Sequence, residues 1–273
     1  MTRDRLTTVA MGAVMPVIAI LAWQLLAMSG LIDKNLLASP VQVVVRWWQY
    51  LMPPEPYDPA QTTWLGWALS GELIGDAAAS LYRVLLGFFV GAVLALPLGL
   101  MMGASETIHR LTNPTIQVLR PIPPIAYIPV AILWFGLGNP PAVFLISIGA
   151  FFPILMNTIA GVRHVDGIYI RAARNLGAGP VTLFTRVMLP AATPYILAGA
   201  RIGIGTAFIV VIVAEMIAVN SGLGFRILEA REYFWPDKII AGMLSIGILG
   251  LAIDAVMNRL NAHLLRWHRG LEH

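Results

Sequence analysis

The feature that most constrains this chain is a series of long apolar stretches, at 9–29, 78–103, 114–136, 141–161, 194–219 and 239–260. Each is near the ~20 residues that a helix needs to cross a hydrocarbon core. In lipid every backbone N–H and C=O must be satisfied within the protein, which leaves membrane helices or a closed barrel. The stretches are continuous rather than alternating, so the expected fold is an all-α integral membrane domain of about six transmembrane helices. Charge supports this: 12% of residues are charged and 58% hydrophobic, against about 25% charged in an ordinary soluble domain.

The first stretch lies in MTRDRLTTVAMGAVMPVIAILAWQLLAMSG. A basic start before an apolar run also suits a signal peptide. The run from Val9 to Met28 is long enough to span, and no small-residue cleavage site follows it. A retained helix is expected.

Arginine placement orients the spans. Arg3 and Arg5 precede the first, and Arg110 follows the second. Arg163, Arg171, Arg174 and Arg186 lie between the fourth and fifth, and Arg259, Arg266 and Arg269 close the chain. Six spans put all of these on one side. The opposite loops carry Asp33, Glu55, Asp58, Glu72, Glu229, Glu232 and Asp237, with fewer basic residues. The positive-inside rule makes the arginine side cytoplasmic, with both termini there. The net charge of +4 is thereby read as membrane orientation rather than nucleic-acid binding.

The loop over 30–77 then lies outside. Ser39-Pro40 is a good helix start, and Trp47, Trp48 and Tyr50 suit either a membrane interface or packing on the bundle. The third stretch carries Pro114, Pro121, Pro123, Pro124 and Pro129. Proline removes donors and bends helices, and broken backbone at membrane depth survives only against protein or a water-lined cavity. An interior helix beside a pathway, or a kinked packing helix, is expected. The pairs Gly87/Gly91, Gly99/Gly103 and Gly199/Gly203 predict close helix approach.

Several chemistries are excluded. Without cysteine there is no disulfide framework or thiolate metal site. The five histidines are scattered with no HExxH pair. Lys34 and Lys238 are the only lysines, and neither sits in a GxxxxGK[ST] loop, so the chain has no ATP site of that kind.

IRAARNLGAGPVTLFTRVMLP, residues 170–190, is polar amid apolar sequence. Asp166 can cap a helix start, Gly177 can stop that helix, and Pro180 can open a second one. Leu189-Pro190 is expected to close it. The result is a helical hairpin at the cytoplasmic membrane surface. Short helices are marginal in water, so it must dock either on its own bundle or on a soluble partner.

These residues resemble the EAA loop of bacterial ABC-importer permeases, in which Glu-Ala-Ala is followed by a spaced glycine and then by a hydrophobic residue and Leu-Pro. Ala172, Ala173, Gly177, Val187, Leu189 and Pro190 match, whereas Arg171 stands where the pattern has glutamate. ASLYRVLLGFFVGAVLALPLGLMMG (79–103), RPIPPIAYIPVAILWFGLG (120–138), AEMIAVNSGLGF (214–225) and LLRWHRG (264–270) look similar to the nitrate, sulfonate, taurine and bicarbonate group.

The resemblance implies a type I ABC importer transmembrane domain, without catalysis of its own and without a cofactor in this chain. It implies a permease homodimer in the bacterial inner membrane, two cytoplasmic ATP-binding subunits holding ATP and Mg, and a periplasmic solute-binding protein. Arg171, Ala172, Ala173, Arg174, Leu176, Gly177, Ala178 and Leu183 would couple to the ATPase. Residues 1–77 would form the first helix with its periplasmic appendage, 78–260 the core with the hairpin 164–190, and 261–273 a cytoplasmic tail. The taurine and alkanesulfonate branch looks nearer than the nitrate branch.

Ionisable residues inside spans are functional candidates. Arg83 and Glu215 lie at similar depth and could pair, or could line the route with Arg120 and Arg201, since arginine is the natural fork for oxyanions. Asp254 and Asn258 are expected to be structural. An ion-driven secondary transporter would need paired mid-membrane carboxylates, and Glu215 and Asp254 lie toward opposite ends of their spans.

Overall fold

The computed structural model describes residues 2–33, 36–59 and 63–265, with the side chains of 2–10 and 13 outside that description. Lys34, Arg266, Arg269 and most of the 261–273 tail therefore lie outside the described residues, as do the side chains of Arg3 and Arg5. The described residues are helical and contain no strand.

In chain order the helices are α1 (Thr2–Met28), α2 (Pro40–Leu51), α3 (Trp64–Ala68), α4 (Glu72–Ala104) and α5 (Glu106–Leu119). A 3-10 turn (Pro124–Tyr127) leads into α6 (Ile128–Phe135), followed by α7 (Asn139–Arg163), α8 (Gly167–Asn175) and α9 (Pro180–Leu183). A π turn (Phe184–Met188) joins α9 to α10 (Leu189–Ala218), and α11 (Leu223–Glu232) and α12 (Pro236–Leu264) complete the chain.

Four segments are long and apolar enough to span: α4, α7, the continuous run Pro180–Ala218, and α12. The pair α5 and α6 makes a fifth, bent by 84°. In α1 the apolar stretch with described side chains is Val14–Met28.

α7 is the axis of the bundle, with α4 on one flank and α10 on the other. Glycine permits this closeness. A Cβ on Gly87 would come within 2.6 Å of Ile146 Cβ, and one on Gly199 within 2.6 Å of Asn157 Cβ. The small-residue pairs read from the sequence thus line both α7 contacts. Val84, Ala95, Ile146, Leu155, Ala207 and Val211 form the core between these helices.

Two expectations are corrected. The third stretch is not one helix over 114–136. It begins at Glu106, stops after Leu119, and resumes after Pro121, Pro123 and Pro124 have removed the donors that would continue it. Nor does Leu189-Pro190 close the hairpin. A proline ring clashes with the carbonyl four residues earlier, here Arg186. That residue lies in the π turn, whose wider winding accommodates the ring and lets the helix continue into the span.

α2 begins with a capping box: Ser39 Oγ accepts from Gln42 N at 3.3 Å, and Ser39 N donates to Gln42 Oε1 at 2.8 Å. It packs on α12 and α4. Trp47 Nε1 donates to Ser245 Oγ at 3.0 Å and Tyr50 is buried, while Trp48 stays exposed. Packing thus takes Trp47 and Tyr50 and leaves Trp48 on the outer surface.

Candidate functional site

Three polar constructions stand out. The first is at the outer end, where α4 turns one face toward the loop between α10 and α11. Asp76, Ser80 and Arg83 share that face at helical spacing. Arg83 Nη1 donates to Glu215 Oε1 at 2.6 Å and to Ser221 O at 2.9 Å. Its Nη2 donates to Ser221 Oγ at 2.6 Å and its Nε to Asn139 Oδ1 at 2.7 Å.

Glu215 Oε2 accepts from Ser80 Oγ and from Gly224 N, both at 2.9 Å. Leu223 N donates to Ser80 Oγ at 3.0 Å, and Gly222 N to Asp76 Oδ1 at 2.9 Å. Asp76 Oδ2 also accepts from Tyr50 OH at 2.6 Å and from Arg226 Nε at 2.7 Å. Residues 221–224 are thus strapped down by a buried network. Arg83 and Glu215 are 3% and 1% exposed. Burial, reinforced by the bond to Asp76, pushes the Tyr50 phenol well above its ordinary value, so it stays a neutral donor.

Gly222 is required there. Its φ is +103°, and a Cβ would meet Glu215 and Arg83 Nη1, the latter at 2.6 Å. No other residue type fits both the backbone and the space.

The second construction is a groove of about 530 Å³ at the break between α5 and α6. Arg120, Pro123 and Pro124 line it with Asn157 of α7 and Ile202 and Thr206 of α10. At 1.5 Å per residue, Asn157 lies about 9 Å and Gly149 about 21 Å from the inner end of α7. The groove therefore runs from near the inner boundary to mid-membrane. Arg120 is exposed on it, and among the described residues its guanidinium has no ion pair or hydrogen bond. Arg201, in contrast, donates to Asp254 Oδ1 through Nε at 3.1 Å and Nη2 at 2.8 Å, and Asn258 Nδ2 supports Asp254 Oδ2 at 2.9 Å.

The third construction is the hairpin. Asp166 Oδ1 caps α8 through Ile168 N at 2.8 Å. Gly177 forms the corner at φ +81°, with Gly177 N bonded to Arg174 O at 2.9 Å and Ala178 N to Ala173 O at 3.0 Å. This is a Schellman-type stop. Leu183 is buried under the hairpin, and Ala173 and Ala178 are half-buried. Arg171, Ala172, Arg174 and Gly177 are exposed, and Leu176 is 89% exposed. Arg171 folds back along α8, so that a Cβ on Gly167 would lie 3.0 Å from its Nη1.

Of the four charged candidates inside spans, the structure joins Arg83 to Glu215 away from the groove, pairs Arg201 with Asp254, and leaves Arg120 alone on the groove. Sequence reading missed Asp76, Ser80, Tyr50 and Ser221 as a network. The spacing of Asp76, Ser80 and Arg83 on one helix face is the signal that could have found it. It also missed exposed Ile168, Tyr169 and Val181 on the hairpin, because apolar residues in a helix are ordinarily read as core.

The family model for the binding-protein-dependent transport system inner membrane component matches residues 95–270. That span takes in the groove, the hairpin and Glu215. The taurine transport system permease protein of Escherichia coli K12 is 38% identical over 191 residues, 70% of each chain. The nitrate import permease protein of Leptolyngbya laminosa is 33% identical over 235 residues, 86% of this chain and 80% of that one. A structure of the MetNI methionine ABC transporter in inward-facing conformations superposes with a TM-score of 0.62 at 20% identity, over 69% of this chain and 94% of that one. At that identity the likeness concerns the fold.

Proposed function

The chain belongs to the family of binding-protein-dependent transport system inner membrane components, an ABC-importer permease, and from that premise we propose that it carries a small oxyanion, a taurine-like alkanesulfonate in preference to nitrate. The observation that carries the anion reading is Arg120. An unpaired cation at membrane depth is costly and marks a route, and a guanidinium presents the planar fork that oxyanions accept. The apolar walls beside it leave the anion few other partners, so binding stays weak enough for release. A taurine transport permease among the relatives supports the sulfonate preference.

Energy comes from outside the chain. Two copies pair in the bacterial inner membrane, each setting its hairpin on a cytoplasmic subunit that holds ATP and Mg. A periplasmic binding protein supplies the anion. The support for the docking is the hairpin itself: a braced corner at Gly177 with Ile168, Tyr169, Leu176 and Val181 exposed around Arg171 and Arg174. Closure of the ATPase pair would push α8 as a rigid body, and the unbroken helix from Pro180 to Ala218 would carry that push across the membrane. This is the coupling of two discrete states by a rigid element.

The test is uptake of labelled taurine, an alkanesulfonate and nitrate into vesicles holding the reconstituted transporter with its binding protein. Arg120→Gln is expected to cut sulfonate uptake at least tenfold while ATPase subunits still co-purify. Unchanged uptake removes Arg120 from the route, and uptake of nitrate alone overturns the sulfonate preference.

A further inference from the structure

Two adjoining cavities at the outer end lie outside the groove and the hairpin and touch the strap only through Tyr50. One, of about 380 Å³, is polar and is lined by Arg46, Gln49, Tyr50, Glu72, Trp235 and Lys238. The other, of about 370 Å³, lies between α2, α4 and α12 and is lined by Leu51, Leu73, Ala77, Leu81, Ile248 and Leu249 among others. Their walls are successive residues of the same helices: Tyr50 then Leu51, and Glu72 then Leu73. On α12, Lys238 lines one and Ser245 the other. Seven residues apart, these two share a helix face about 10 Å from one another.

The apolar cavity offers water nothing. Its two polar side chains serve each other, Trp47 Nε1 donating to Ser245 Oγ, which in turn donates to Ala241 O at 2.8 Å. Ala78 and Ile248 on its rim are exposed, so it opens sideways from two spans toward the bilayer. The polar cavity holds opposite charges with free hydrogen-bonding capacity. Lys238 Nζ lies 3.9 Å from both Glu72 Oε2 and Glu229 Oε2, beyond hydrogen-bond range. It is held instead over the rings of Trp235 at 5.3 Å and Tyr50 at 5.7 Å. Glu72 is 51% exposed.

We propose that the paired cavities hold one phospholipid of the outer leaflet with an amine-bearing zwitterionic headgroup. An acyl chain fills the apolar cavity, the phosphate takes the free donors of Lys238 with Arg46 at its edge, and the ammonium donates to Glu72. One molecule inserts into the loose Lys238–Glu72 ion pair, giving each charge a hydrogen-bond partner that their 3.9 Å separation denies them, and fills a dry space open to hydrocarbon, as a free anion or a water cluster does not.

The test uses the full chain in its purified transporter, with phosphatidylethanolamine, phosphatidylcholine or phosphatidylglycerol added in detergent and retention read by native mass spectrometry. Phosphatidylethanolamine is expected to be retained about tenfold better than phosphatidylcholine, whose methylated amine cannot donate, a difference the size of one charge-assisted hydrogen bond. Glu72→Gln should erase that preference but keep the lipid. Lys238→Gln should weaken retention of all three, and Ala78→Trp or Ile248→Trp should abolish it.

Retention unchanged in both tryptophan variants overturns the site, as does equal retention of all headgroups. So does an efficient disulfide in membranes between Ala78→Cys of one copy and Leu21→Cys of another, which would place a second copy's first helix over the cleft. The chain's lack of cysteine keeps that last readout clean. No readout depends on what is transported.

Discussion

The strap and the hairpin use the same kinds of residue to opposite ends. In the strap, Arg83 finds four acceptors and Glu215 three donors, all from this chain. In the hairpin, Arg171 and Arg174 have no ion partner among the described residues, and Leu176 stands 89% exposed. The strap is completed within one chain. The hairpin is a finished backbone carrying an unfinished surface. Where polar groups are buried and fully satisfied they fix structure, and where they stay open they leave the surface available for contact.

The sharpest way to break this comparison is Arg83→Ala. It strands Glu215 in a buried site, which costs about 3–5 kcal/mol. Thermal unfolding in detergent should show a loss of that order, and a loss under ~1 kcal/mol would mean the strap is not closed by this pair.

Tyr50→Phe should cost less, about 1.5–3 kcal/mol, the range for a hydrogen bond to a charged group. It also has a pH signature. The phenol is raised in the folded state, so its contribution is complete below the ordinary tyrosine value of about 10 and is lost as pH rises past it. Wild-type stability should fall above about pH 10 more steeply than that of Tyr50→Phe. Identical alkaline profiles would remove Tyr50 from the network.

Gly222→Ala should cost about 1–3 kcal/mol from backbone strain, plus displacement of Glu215 and Arg83. Normal stability there would show that the strap tolerates a shifted loop.

At the hairpin the expected stability effect is smallest. Leu176→Ala should change unfolding by less than about 0.5 kcal/mol yet abolish transport-coupled ATPase activity in the reconstituted complex. Gly177→Pro should likewise abolish coupled turnover with the chain still inserted, because it removes the left-handed corner and the Gly177 N–H bond to Arg174 O without touching the spans. Normal coupled turnover in both variants would sink the hairpin as the transmitting element.

Much of the fold was legible because lipid admits so few alternatives. The apolar stretches, the arginine asymmetry, Asp166 as a cap and Gly177 as a corner are all local signals. The break at Arg120–Pro123 was legible as proline, but its 84° angle was not, since angle depends on what the two halves pack against. Pro190 misled for a related reason. A proline in sequence reads as an end, and only the π turn before it lets the helix pass. The candidate charges were found one by one, while their pairing stayed ambiguous. Arg83, Arg120 and Arg201 are equivalent in composition and differ only in what lies within reach.

The sequence by itself determined that this chain is a membrane bundle with its arginines clustered at one end of its spans and a polar helical hairpin between two of them. Those follow from periodicity, length and residue type, which act over a few turns of helix. Tertiary structure alone decided which arginine is free. Strap, pair and groove are each made of residues brought together across long separations, and a buried charge is satisfied or stranded by distances of a few ångströms that no local pattern encodes.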